Sequence, residues 1–335
     1  MAEGLKWKRP TLQDVIAARQ VVSRYLSKTP LHRSLSLGRL LDADVYVKHE
    51  NHQPVGAFKV RGGVNRLHHL TPQERRAGVV TASTGNHAQS IAYAARLFDV
   101  RAQVLMPERS NPDKVAAVRD LGGEVLFHGR DFDETRFYAE DYARDRGAVF
   151  INSANDFHLI SGVGTMALEV FEDLPDPDLL IVPIGGGSSA CGNAIVAKSI
   201  RPQVQVVGVQ AEGAPCVYLS YKAGRIVETP EAATFAEGLA TRVPFELTFG
   251  IILDLIDDIV LVSDDEIERA IVRMLRATHN LAEGAGASPL AAALKMRDQI
   301  AGKKVVLILS GGNLTVERLR EILNKVELSG KEKLP

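Results

Sequence analysis

The sequence predicts an α/β protein with two open, mostly parallel sheets and helices packed on them. Three observations carry that expectation. Short β-branched runs alternate with helical apolar patterns, and small-residue turns join each run to the helix after it. The chain has 335 residues, enough for about two domains. Units of this length, repeated, are right-handed crossovers between parallel strands.

The series opens with a helix over 12–26 and a strand over 44–49. Gly78-Val79-Val80-Thr81-Ala82 reads as a buried strand, followed by a helix over 87–98 rich in Ala, Ile and Leu. After a strand over 102–106, Asn111 caps a helix with Pro112 at its first position, and Gly122-Gly123 stops it. Strands over 124–127 and 148–151 flank a helix over 133–146. A second series has strands over 179–184, 204–209 and 305–309. On this reading 75–157 is a small domain, and 1–74 joins 158–335 in a larger one. The terminal SGKEKLP reads as frayed.

Composition excludes several classes of function. Forty basic residues against 41 acidic ones leave no basic footprint for nucleic acid. Two cysteines, Cys191 and Cys216, cannot build a disulfide framework or a cysteine-rich zinc site; they read as structural thiols of a reducing, cytoplasmic compartment. The first twenty residues lack a signal peptide's apolar stretch, and no apolar run reaches the roughly 18 residues of a membrane span. FGIILDLIDDIVLV comes nearest, but Asp254, Asp257 and Asp258 break it. His68 and His69 are adjacent, so a helix points them apart, which suits surface residues better than a metal pair.

Four segments carry chemistry. Gly185-Gly186-Gly187-Ser188-Ser189-Ala190 follows the strand LLIVPI and opens a helix, so amides unobstructed by side chains face an anion such as phosphate. A plain tight turn rarely needs three consecutive glycines. The segment also fits the loose dinucleotide pattern through Gly185, Gly187 and Ala190, but the next strand ends at Gln210 with Glu212 further out, where that pattern wants an acidic residue. Ser83-Thr84-Gly85-Asn86-His87 also joins strand to helix; it is either a cradle for a second anion, such as a substrate carboxylate, or a plain capping loop. Lys59 lies in the apolar, glycine-flanked stretch Gln53–Gly63, where it is either a Schiff-base amine or a lysine snorkelling to water. Ser310-Gly311-Gly312-Asn313 follows the strand VVLIL, at the end where open α/β sheets bind ligands, or is simply a turn.

In this order and spacing the four segments resemble the fold-type II pyridoxal-phosphate enzymes, whose fold is like the tryptophan synthase β subunit. The nearest branch is that of the serine/threonine dehydratases and serine racemases, and the resemblance spans about 12–325. It implies that Lys59 holds pyridoxal 5'-phosphate as an internal aldimine with Phe58 against the ring. It further implies that Asn86 meets the ring hydroxyl, that Gly185, Gly186, Gly187, Ser188 and Ser189 take the phosphate, and that Ser83, Thr84, Gly85, Asn86 and His87 receive the substrate carboxylate. Gly238, in FAEGLA, would lie along the other ring face, and Ser310 would meet the pyridine nitrogen. A neutral hydroxyl there leaves the nitrogen largely unprotonated. Elimination tolerates that, because charge at the α-carbon passes straight to the leaving group, whereas transamination needs a lasting electron sink.

Departures from the family pattern narrow the expectation. Ser188 and Ser189 replace a glycine and a leucine of the usual phosphate loop, and Ser188 could add a hydroxyl contact. Thr84 stands where racemases carry a serine base, which demotes racemisation. Gln210 and Cys216 align with two carboxylates that hold a divalent ion in racemase-like members, so no metal is expected. The loop Asn152-Ser153-Ala154-Asn155-Asp156, with Arg136, Phe137 and Tyr138, resembles the phenylserine and hydroxyectoine-type dehydratases; Arg136 is either a substrate contact or part of a solvated helix face.

The expected activity is therefore an ammonia-lyase reaction on a β-hydroxy-α-amino acid such as L-threonine or L-serine. Phenylserine, 3-hydroxyaspartate and a hydroxyectoine-derived substrate are alternatives, as are serine racemisation and β-replacement. Outside the class stand a nicotinamide-dependent dehydrogenase and a non-catalytic amino-acid sensor. The family also implies a homodimer.

Overall fold

The computed structural model describes residues 8–328 apart from Asp131; the terminal SGKEKLP lies outside them. The chain divides into two compact units, neither contiguous in sequence. One combines the segment ending at Ser27 with Gln53–Thr165, the other Lys28–His52 with the segment from Met166 onward. The strands are β1 (Leu31–Arg33), β2 (Asp44–His49), β3 (Val79–Ala82), β4 (Ala102–Met106), β5 (Glu124–Phe127), β6 (Val149–Phe150), β7 (Leu179–Pro183), β8 (Gln205–Ala211), β9 (Asp258–Val262) and β10 (Lys304–Leu309).

The first unit holds a parallel four-stranded sheet in the order β5-β4-β3-β6. Its bounds differ from the sequence expectation, which put residues up to 74 with the larger domain. Two glycines of the helix Lys59–His68 explain the difference. A Cβ on Gly63 would sit 2.3 Å from Ser90 Oγ, and one on Gly62 would sit 3.0 Å from the Leu159 carbonyl oxygen. With no side chain in the way, this helix meets the helix Asn86–Phe98 at Gly63, and the first turn of the helix that begins at Phe157 at Gly62, at backbone distance. Val60, Val64 and Leu67 join Val79, Ile91, Ala94 and Leu159 in one buried cluster, to which Val21 and Val22 of the helix Leu12–Val22 also belong. Thr11 and Asp14 close that helix with a reciprocal capping box.

The second unit holds a six-stranded sheet in the order β1-β2-β10-β7-β8-β9. All its pairs are parallel except β1 with β2. FGIILDLIDDIVLV is neither one helix nor one strand. The helix Glu246–Leu255 ends at Ile256, whose extended backbone (φ -87, ψ 132) turns the chain into β9. Asp257 pins the start of that strand, accepting from the Val206 amide at 2.6 Å and pairing with Lys198 at 2.7 Å. A buried ion pair anchors β2: Lys48 Nζ donates to Glu169 at 2.7 Å and to the Thr29 carbonyl at 2.7 Å. Among the described residues no helix is long and apolar enough to cross a membrane.

Candidate active site

In the first unit Lys59 opens the helix Lys59–His68, directly after Phe58 at the capping position. Its Nζ donates to the Ser153 carbonyl at 3.2 Å and lies 5.2 Å from the Phe58 ring centroid. The stem keeps some access to solvent, but the amine is enclosed, and the lost hydration brings its pKa from 10.5 down to about 8. The positive end of the helix also disfavours a cation at this position. Lys59 is thus no snorkelling surface lysine. The Ser90 hydroxyl donates to the Lys59 backbone carbonyl at 2.7 Å, tying the start of this helix to the helix Asn86–Phe98.

The loop Ser83–His87 runs from β3 into that second helix. The Gly85 amide donates to Ser83 Oγ at 3.2 Å, Gly85 is the helix cap, and no side chain caps the first turn. A Cβ on Gly85 would meet nothing within 4 Å, so the loop has room for a ligand beside it. Ser83 and His87 are buried, while Thr84, Gly85 and Asn86 are half-buried. Desolvation, and next the charge of Lys59, lower the His87 pKa to about 3, so its imidazole is neutral. Its Nε2 lies 3.5 Å from the Ile151 carbonyl oxygen, and its buried Nδ1 has no partner. The Lys59 charge acting on His87 places the amine and this loop in one electrostatic neighbourhood.

The loop that presents Ser153 to Lys59 is braced from within. Asn152 Oδ1 accepts from the Ala154 and Asn155 amides at 3.0 and 2.9 Å. Asp156 caps the next helix through the Leu159 amide at 2.9 Å and holds Arg66 Nε at 2.8 Å. Arg136, on the helix Phe132–Asp145, stacks over the Phe137 ring at 4.5 Å and lies 3.7 Å from Glu140. With its side chain 15% exposed, it is not a freely solvated charge.

In the second unit the loop Gly185–Ser189 leaves the carboxyl end of β7 and enters the helix Ser188–Ile200. Gly187, with φ 94, holds the left-handed conformation that places successive amides on one side. A Cβ on Gly185 would sit 2.0 Å from the Gly238 carbonyl oxygen, so the structure brings Gly185 and Gly238 together. Ser188 and Ser189 are buried, and the buried Ser189 hydroxyl has no partner. A glycine that admits no side chain, a left-handed turn into a helix and an unsatisfied hydroxyl are what a phosphate dianion would use. Ser310, buried, directly follows β10, which pairs with β7 in parallel. The Ser310 and Gly185 loops therefore emerge at the same end of neighbouring strands.

The remaining positions are accounted for by the protein itself. Gln210 Oε1 accepts from the Tyr218 amide at 2.8 Å, and Cys216 Sγ donates to the Thr241 carbonyl at 2.9 Å, so neither resembles a ligand of a hard cation. β8 runs to Ala211, one residue beyond the expected end, so Glu212 follows it directly and this position alone does not exclude the dinucleotide pattern.

The first unit encloses a lysine of lowered pKa, and the second carries glycine-walled loops at the ends of parallel strands; each offers groups that a phosphorylated aldehyde cofactor would use. The chain matches the pyridoxal-phosphate dependent enzyme family over residues 22–311 and belongs to it. It is similar to the L-threonine ammonia-lyase of Thermotoga maritima, 40% identical over 315 residues, covering 94% of this chain and 78% of that one. It is also similar to the catabolic L-threonine dehydratase of Escherichia coli, 38% identical over 318 residues, covering 94% and 97%. Among solved structures, maize serine racemase superposes with a TM-score of 0.90 at 31% identity, covering 97% of this chain and all of that one (100%). Family membership sets aside the nicotinamide-dependent alternative.

Proposed function

We propose that the protein is an ammonia-lyase that eliminates water from a β-hydroxy-α-amino acid such as L-threonine or L-serine, giving a 2-oxo acid and ammonia. The observation that carries this reading is the Lys59 amine, brought to a pKa of about 8 by its enclosure. An amine near neutrality serves both as the attachment point for an aldehyde and as a base. The threonine-specific names of the relatives support the substrate class.

Bound pyridoxal phosphate supplies an electron-withdrawing ring that acidifies the substrate's α-carbon. The rest is done by the chain. The loop Ser83–His87, at the start of a helix, would receive the substrate carboxylate, with neutral His87 as a dipole rather than a charge. Lys59 Nζ, with its lowered pKa, would be the base that takes the α-proton. On the family resemblance the Gly185–Ser189 amides would hold the phosphate, Gly238 and Phe58 would bound the ring, Asn86 would meet its hydroxyl, and Ser310 would offer its nitrogen an uncharged partner. That last choice favours loss of the β-hydroxyl over storage of charge on the ring. Arg136 is the candidate contact for the substrate side chain. On the family pattern the enzyme is a cytoplasmic homodimer.

A panel of L-serine, L-threonine, phenylserine and 3-hydroxyaspartate, assayed for 2-oxo acid, D-amino acid and β-substituted products, tests the reading. Release of 2-oxo acid and ammonia supports it, and D-amino acid alone would replace it with racemisation. Borohydride reduction followed by peptide mapping must place the cofactor on Lys59.

A further inference from the structure

The Gly185–Ser189 loop works as an anion seat only if its peptide N–H groups, not its carbonyls, face the anion. In a trans peptide the C=O of one residue and the N–H of the next point in opposite directions. Whatever holds the Gly186 carbonyl therefore aims the Gly187 amide. The holder is Thr248. Its buried Oγ1 donates to the Gly186 carbonyl at 2.7 Å, shorter than its 3.3 Å approach to the Phe245 carbonyl within its own helix. The helix Glu246–Leu255 that carries Thr248 is itself fastened to the loop. A Cβ on Gly187 would sit 2.8 Å from Thr248 Cβ, and Cys191 Sγ donates to the Thr248 carbonyl at 3.4 Å.

We propose that Thr248 is a positioning residue for the cofactor phosphate: its hydroxyl locks the Gly186–Gly187 peptide with the carbonyl outward and the amide toward the phosphate. The proposal rests on the reading of Gly185–Ser189 as the phosphate seat. Glycines leave this peptide free to flip, so without the lock part of the population turns a carbonyl dipole toward a dianion.

The test uses full-length protein, stripped of cofactor and titrated with pyridoxal phosphate, with affinity read from the absorbance of the lysine-linked cofactor and the phosphate followed by ³¹P NMR. Thr248→Val keeps shape and packing but removes the donor, and it should weaken cofactor binding about tenfold, the scale of one hydrogen bond to a charged group, and move the ³¹P resonance. Thr248→Ser restores the hydroxyl and should return both readouts to wild type. At saturating cofactor, kcat should stay within about twofold, because the lock acts on binding. Ser188→Asp puts a negative charge into the loop where the helix dipole tolerates it, and it should block cofactor binding if the loop is the seat.

Wild-type affinity and ³¹P resonance in Thr248→Val, with binding blocked in Ser188→Asp, would overturn the lock and leave the seat standing. Equal weakening by Thr248→Val and Thr248→Ser would assign the effect to packing and overturn the lock as well. Unaltered binding in Ser188→Asp would remove the seat and the lock together. Should Thr248→Val fail to fold by circular dichroism, Thr248→Cys, a weaker donor, should give an affinity between wild type and the tenfold loss, and wild-type affinity there overturns the lock.

Discussion

Lys59→Met separates the cost of the reactive amine from its use, because methionine keeps the side chain's length and discards the charge. In the cofactor-free protein, enclosure lowers the amine's pKa from 10.5 to about 8, and unfolding returns it to water. Below pH 8 the amine is protonated in both states, and folding carries the full cost of a poorly solvated cation. At about 1.4 kcal/mol per pH unit the difference comes to about 3 kcal/mol, and the stem's remaining access to solvent trims it to about 2–3 kcal/mol. Between about 8 and 10.5 the unfolded chain binds the extra proton, so wild-type stability rises with pH across that window and the cost disappears above it. Lys59→Met should therefore stabilise the cofactor-free protein by about 2 kcal/mol at pH 7, lose that gain above pH 10.5, and have no lyase activity. Urea unfolding followed by circular dichroism at both pH values measures it. A variant no more stable than wild type at pH 7, or a gain undiminished in alkali, would refute the reasoning.

Three further outcomes follow from the geometry. Gly185→Ala drives a methyl into the Gly238 carbonyl and should weaken cofactor retention at least about tenfold, read from the ratio of visible to protein absorbance. Lys48→Met takes the ammonium from the Glu169 carboxylate, which is only 1% exposed and still accepts from the Thr29 amide, and should cost about 1.5–3 kcal/mol in chemical denaturation; an unchanged midpoint would show that the pair adds nothing. His87, with its pKa near 3, should stay neutral from pH 5 to 8 in ¹⁵N spectra of histidine-labelled protein; titration near 6.5 would contradict its enclosure.

Much of the fold was legible because local pattern and tertiary role agree. The bounds of β2, β4 and β5 match the sequence expectation, and Asn111 and Pro112 cap and open the helix Pro112–Asp120 as expected. β1 left no signal. It has three residues, mostly exposed, and is held by its pairing to β2 rather than by an apolar face. β9 was hidden in the run FGIILDLIDDIVLV, whose change from helix to strand at Ile256 is a backbone event, fixed by what Asp257 binds elsewhere. The assignment of residues 53–74 depended on how closely Gly62 and Gly63 let neighbouring helices approach, which periodicity does not encode.

The site divides in the same way. The glycine loop stood out by composition, whereas the Ser83–His87 loop and Lys59 each left a plain structural reading open, which the enclosure of the amine closes for Lys59. Gly238 came only through the resemblance, as did the role given to Ser310, whose loop was marked by its place after a strand. The contact of Gly238 with Gly185 joins distant parts of the chain, and no spacing rule foretells it. Thr248 carried no signal at all; a threonine in an apolar helix gains meaning only from the carbonyl it holds.

The sheet order sets a timetable for the nascent chain. β2 leaves the ribosome early, yet its parallel partner β10 is not complete until residue 309 has been made. Through most of translation one flank of β2 is an open edge with only the short β1 on the other side. Chains truncated before β10 should therefore aggregate rather than settle into a smaller fold, and chaperone demand should persist until β10 has been made.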